Sequence, residues 1–186
     1  HFPIRNPWHT RPAHARAELA DRFADTPLAP KGLIQQLARD AIEVAAPSLS
    51  RSSVLSEEDL VTIVHETGQA HIQAIAKRES VSERLSHAIV EKGDDETVAT
   101  LIRNDGAQLS RSTFEEVARR AEDSETLQAP IVERADAPAD LLNDLMVVVS
   151  RTLRDKISQR FDKLEPGVLE AALAASQARL EKRMAE

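Results

Sequence analysis

Residues 56–81 read SEEDLVTIVHETGQAHIQAIAKRESV, and residues 82–109 read SERLSHAIVEKGDDETVATLIRNDGAQL. Each opens on a Ser followed by Glu57-Glu58-Asp59-Leu60 or by Glu83-Arg84-Leu85, so that its hydroxyl can accept from the free N–H groups of a first helical turn. Ser110 precedes Arg111-Ser112-Thr113-Phe114 in the same way, and Pro138 stands in that place before Ala139-Asp140-Leu141-Leu142. The steps from 56 to 82, 110 and 138 are 26, 28 and 28 residues. A repeat of this length predicts a unit of two short helices: 56–67 with 70–79, 82–92 with 95–104, and 110–122 with 124–135. Gly68 and Gly93 fall at the joints within units, where a positive φ is commonly needed. Pro130, inside the last of these helices, predicts either a start or a kink there. Two short antiparallel helices cannot bury an apolar face alone and must stack on neighbours.

Outside the repeats the pattern is also helical. A helix is predicted over 13–24, opened by Pro12, closed by Asp25-Thr26-Pro27 and buried through Leu19 and Phe23. Leu33, Ile34, Leu37, Ala38, Ala41, Ile42 and Ala45 predict a second helix, between Pro30 and Pro47. After Pro138, the positions Leu142, Leu145, Val149, Leu153, Ile157 and Phe161 predict one long helix. A last helix over 168–185 carries Leu169, Leu173, Leu180 and Met184, and either caps the stack or pairs with a second copy. The expected fold is all-α: a HEAT-like α-solenoid of stacked short antiparallel helix pairs with a longer C-terminal helical cap. It forms one domain over 1–186, with N-terminal helices (1–47), short helix-pair repeats (48–137) and long C-terminal helices (138–186).

The composition agrees. The 186 residues include 28 Ala, and aromatic residues make up only 3%, which disfavours a β-sandwich or barrel. The absence of Cys excludes disulfides, thiolate metal sites and a thiol nucleophile. The longest apolar run, Leu145 to Val149, is far short of the roughly 20 residues of a membrane span. The start, His1-Phe2-Pro3, lacks the apolar stretch of a secretory signal and reads as the edge of a fragment, so the expected location is the cytoplasm. The net charge of −7 is uneven: 7 Lys and Arg against 5 Asp and Glu over 1–55, 9 against 20 over 56–146, and 8 against 6 over 147–186. An acidic block on the repeats is a poor surface for a phosphate backbone.

The ordered strings Leu55-Ser56-Glu57-Glu58-Asp59-Leu60, Ala74-Ile75-Ala76-Lys77-Arg78, Ile89-Val90-Glu91-Lys92-Gly93-Asp94, Asn104 with Ala107, and Arg160-Phe161-Asp162 resemble an uncharacterised alphaproteobacterial family, domain of unknown function 2336, described as HEAT-like. The resemblance implies a helical-repeat fold, no known catalytic activity and no established active-site residues.

Few residues suggest chemistry. His65-Glu66 followed by His71 invites comparison with a zinc-protease motif, but Gln69 occupies the position four after His65 and Gly68 breaks the helix between them. His1, His9, His14 and His87 show no ligand-like spacing. The Ser residues sit at helix starts, and no Gly-x-Ser-x-Gly elbow or phosphate loop is present. Asp94-Asp95-Glu96 reads as a helix start rather than a cation site. Arg119-Arg120 and the cluster Arg151, Arg154, Lys156, Arg160 and Lys163 read as solvated helix surface. Arg78, Asn104 and Arg134 occupy equivalent positions at helix C-termini. They either satisfy terminal carbonyls or line up as a ladder for a partner.

The function expected is a non-catalytic protein-interaction or scaffolding module. Its acidic repeat surface would meet a protein partner with a basic or amphipathic segment, with no cofactor, metal, nucleic acid or membrane involved. The alternatives are a self-associating regulator dimerising through the helices at 138–161 and 168–185, and a metal-dependent hydrolase built on His65, His71 and nearby acids.

Overall fold

The computed structural model describes residues 10–186; the readings placed on His1 and His9 lie outside them. Among the described residues there are twelve helices: α1 (Ala13–Ala24), α2 (Lys31–Leu37), α3 (Ile42–Arg51), α4 (Glu57–Glu66), α5 (Gln69–Ala76), α6 (Glu83–Lys92), α7 (Asp95–Arg103), α8 (Arg111–Ala121), α9 (Glu125–Glu133), α10 (Ala139–Leu145), α11 (Arg151–Phe161) and α12 (Pro166–Ala185). No strand occurs among them, and the single bridge pairs Val81 with Ala107.

The helix starts are set locally. Ser56, Ser82 and Ser110 cap α4, α6 and α8, and Asp94 caps α7, each accepting from the backbone N–H three residues on. At α4 the Asp59 side chain also accepts from the Ser56 N–H, closing a capping box. Burial pushes the Asp59 carboxyl up, but hydrogen bonds from Ser56, Gln35 and Lys31 outweigh it and bring the group down to about 2.

The pairs predicted over 56–135 form as α4–α5, α6–α7 and α8–α9, and the pattern continues on both sides of them. The long helix expected after Pro138 is instead two, α10 and α11. Ser150 caps α11 through the Leu153 N–H, and residues 146–150 turn between them. The helix expected over 33–45 is likewise split. Asp40, held by Arg16 at 2.7 Å, accepts from the Ala41 N–H and ends the run after α2. Pro47 does not end α3, and Pro130 neither starts nor stops α9; both lie inside continuous helices. Proline at position i frees the carbonyl of i−4, and that residue is exposed Glu43 in α3 and half-buried Thr126 in α9, where water can replace the lost N–H.

No described residue has the positive φ expected at the joints: Gly68 sits at φ −89° and Gly93 at −74°. Gly93 is required for closeness, since a Cβ there would lie 2.6 Å from the Ile89 carbonyl oxygen.

The odd-numbered helices pack in succession, α1 on α3, α3 on α5, and so on to α11; the even-numbered ones do the same from α4 to α12. One apolar core runs between the two rows, with Ile34, Leu49, Ile63, Ile75, Ile89, Leu101, Ile131 and Leu142 fully buried. In α12 the buried positions are Ala172 and Ser176; of the apolar face expected there, Leu169 is half-buried, while Leu173, Leu180 and Met184 are exposed and do not seat the helix on α10.

Candidate functional site

The two ends of the helices carry different chemistry. At the end where each odd helix finishes, one side chain per unit reaches back to the carbonyls closing the unit before. Arg78 donates to Leu49 and Ser52, both at 2.6 Å. Asn104 donates to Ala76 and Arg78, at 2.9 and 2.7 Å. Arg134 donates to Ile102 and Asn104, both at 2.9 Å, and to Ala107. Arg160 donates to Val132, Arg134, Ala135 and Ala137, at 2.8–3.2 Å. These donors satisfy carbonyls at helix C-termini and, at Ala107, Ala135 and Ala137, in the loops that follow them.

Arg78, Asn104 and Arg134 thus follow one another along one edge, and these hydrogen bonds are made inside the chain. Arg134 is 7% exposed and lies 5.9 Å from the centre of the Phe114 ring. Burial pulls the Arg78 and Arg160 guanidinium groups below their ordinary range. Arg160 extends the ladder by one rung; it and Arg120 depart from the solvated surface expected of the basic clusters, while Arg119, Arg151, Arg154, Lys156 and Lys163 are exposed as expected. The loops at this end pair as well: Val81 N–H donates to the Gly106 carbonyl (3.1 Å) and Gln108 N–H to the Val81 carbonyl (2.8 Å). A cleft of about 670 Å³ lies here between the ends of α3 and α5, beside Arg51, Lys77 and Arg78. Of its cations, Arg78 donates to carbonyls at the C-terminus of α3, and Arg51 pairs with Asp21 and Asp25.

At the opposite end lie the joints within units, and these too are tied in succession. Gln69 donates to the Lys92 carbonyl and accepts from the Asp94 N–H, at 2.9 and 2.8 Å. Arg120 donates to the Val90 and Gly93 carbonyls and to Asp95. Hydrogen bonds from Ser124 and Arg120 hold the Asp95 carboxyl below its ordinary range. Asp94 and Asp95 are therefore a cap and an ion-pair partner, as a helix start requires. Around them Glu91, Asp94, Glu96, Asp123 and Glu125 are exposed, and none forms an ion pair; Lys92 is the cation standing among them. This edge concentrates the acidic excess of the middle of the chain.

His65 lies exposed on α4, whereas His71 lies on α5 with its Nε2–H donating to the Asp40 carbonyl at 2.8 Å. Among the described residues no three His, Cys, Asp or Glu side chains are grouped to hold a metal. No helix among them is long and apolar enough to cross a membrane.

A third feature was not foreseen from sequence. Asp140, buried at the start of α10, accepts from Arg111 of α8 and from Arg179 of α12, the latter at 2.8 Å. The Arg111 hydrogen bonds lead, burial opposes them, Arg179 adds to them, and the Asp140 carboxyl is brought down to about 2. Arg179 also donates to Asp144 at 2.8 Å, so one ionic cluster fastens α12 onto α10 and α8.

The family model described as "Uncharacterised protein conserved in bacteria (DUF2336)" matches residues 44–186. No curated protein and no solved structure matches the chain.

Proposed function

Because the chain belongs to the DUF2336 family of uncharacterised bacterial proteins, whose match covers α4 to α12 and so both helix rows, we propose that it is a HEAT-like α-solenoid serving as a non-catalytic protein-interaction module in the cytoplasm. Its recognition surface is the acidic joint edge, and its partner supplies a basic segment. The observation that carries this reading is the row of exposed carboxylates without ion pairs, Glu91, Glu96, Asp123 and Glu125. Several charges on other faces are paired, as in Arg39–Glu66, Arg51 with Asp21 and Asp25, and Arg119–Glu116, whereas the carboxylates of this edge stand together unpaired. Unmatched charge of one sign along a rigid edge steers and orients an oppositely charged partner.

The placement of His65 and His71 on separate helices, with His71 bonded to a carbonyl, favours an interaction module over a hydrolase centred on them. The hydrogen bonds of Arg78, Asn104 and Arg134 to the chain itself favour a structural role for that ladder. Of the C-terminal helices expected to mediate self-association, α11 packs on α9 and α10, and α12 keeps an exposed apolar side.

The test is co-purification of partners with the tagged chain, compared with a variant carrying Lys at positions 91, 96, 123 and 125. Partners retained by the native chain should be lost by the variant, and retention should fall as salt rises, because exposed charges are screened beyond roughly 8–10 Å at physiological ionic strength. Identical partners on both chains would refute the acidic edge as the recognition element.

A further inference from the structure

The last helix turns its small and polar side inward. Asn143 donates to Ser176 (2.9 Å), Ser176 to Asp144, and Arg179 binds Asp140 and Asp144. This seat uses few apolar atoms, so the large apolar side chains of α12 stay outside: Leu180 is 51% and Met184 87% exposed. Beside them the turn at 146–150 leaves Val147 84% exposed, and Val148 is exposed as well. Val147, Val148 and Leu180 line a notch of about 80 Å³, roughly the room of one aliphatic side chain. A contiguous exposed apolar strip of this kind marks a surface that something covers.

The charges around the strip indicate what. Arg179 and Arg183, which also border the notch, are already bonded to Asp144 and Glu122. Glu170 and Glu181, on the same side of α12 as Leu173, Leu180 and Met184 by helical spacing, are exposed without ion pairs. The Arg183–Glu122 contact brings this end of α12 to the α8–α9 joint, so the strip opens onto Asp123 and the acidic edge. A second copy of α12 pairing in parallel would set Glu170 against Glu170 and Glu181 against Glu181.

We propose that the groove between α12 and the 146–150 turn docks a basic amphipathic helix of a partner protein. The partner's apolar stripe packs on Val147, Val148, Leu180 and Met184, and its Lys or Arg flanks face Glu170, Glu181 and Asp123. This is recognition of a helix by a groove, in which apolar anchors supply affinity and flanking charge supplies specificity. The proposal rests on the interaction reading above and gives the basic partner a conformation and a seat.

The test uses the whole chain and two labelled synthetic peptides of about 18 residues, one a leucine–lysine amphipathic helix and the other its leucine–glutamate counterpart, with binding followed by fluorescence anisotropy. The lysine peptide should bind about tenfold or more tightly than the glutamate peptide, and V147D/L180D should weaken it about tenfold. E170K/E181K should weaken the lysine peptide and strengthen the glutamate one. A urea transition matching the native chain shows that each variant is folded. Lys at 91 and 96 should leave binding within about twofold; if those changes abolish it while V147D/L180D does not, the groove fails and the edge reading stands. Equal binding of both peptides overturns the proposal. So does light scattering that finds a native dimer and a monomeric V147D/L180D chain, which would assign the face to a second copy.

Discussion

Arg134 brings a full charge to a site 7% exposed and answers it mainly with backbone carbonyls, those of Ile102, Asn104 and Ala107. Removing it leaves the Ile102 and Ala107 carbonyls without their donor and uncovers the Phe114 face, so Arg134→Ala should cost about 3 kcal/mol in urea unfolding. Arg103→Ala, one unit end away on an exposed residue without a bonded partner, should stay within about 0.5 kcal/mol. Ser86 gives the opposite sign. Its hydroxyl is fully buried in α6 without a hydrogen-bond partner, and Ser86→Ala should stabilise the chain by up to about 1 kcal/mol. Asp140 makes stability depend on acid. Its carboxyl titrates near 2 in the folded chain, against about 3.9 when unfolded, so its contribution is complete above pH 4 and disappears as pH falls toward 2. The urea midpoint should drop across that window, and Asp140→Asn should remove that part of the drop.

Single helices obey rules that are mostly local, and this decides what could be read from sequence. Ser56, Ser82, Ser110 and Asp94 were legible as starts because a cap and its N–H are three residues apart. Ser56→Ala should cost about 1 kcal/mol by thermal or urea unfolding, through loss of half the capping box. The break at 146–150 was hidden because apolar spacing of three and four runs through it without change. Its signal was Ser150, which precedes Leu153 as Ser110 precedes Thr113. The targets of the ladder were not legible at all, since Arg78 or Arg134 reveals its position in a repeat but not the carbonyls 26–32 residues earlier that it meets. The exposed side of α12 was misread for a related reason: Leu outranks Ser in any apolar count, yet Ser176 and Arg179 find partners on α10 that Leu180 does not. Loops between units are equally specific. A Cβ on Gly106 would fall 1.9 Å from the Glu79 carbonyl oxygen, so Gly106→Ala must part the paired loops, whereas Gly32 in α2 has open space around it. Gly106→Ala should lower stability by about 2–4 kcal/mol and Gly32→Ala raise it by up to about 1 kcal/mol.

Among the described residues most helix packing joins neighbours within a row or within a pair, and at the C-terminal end ion pairs also tie α12 back to α8. Such a structure has no central residue on which everything depends, and its ends are held from one side only. Hydrogen exchange should therefore show the slowest amides in α5 to α9, flanked on both sides, and faster exchange through local opening in α1 and α12. Uniform protection from α1 to α12 would show instead that the chain opens as one unit. The direction of the ladder has a temporal consequence. Arg78, Asn104, Arg134 and Arg160 each belong to a later unit than the carbonyls they bind. During synthesis the acceptors emerge first and wait, and each new unit leaving the ribosome seals the one before it while leaving its own last carbonyls open. The ladder's closures thus follow the order of translation, while the Gln69 contacts at the opposite end wait for the unit after.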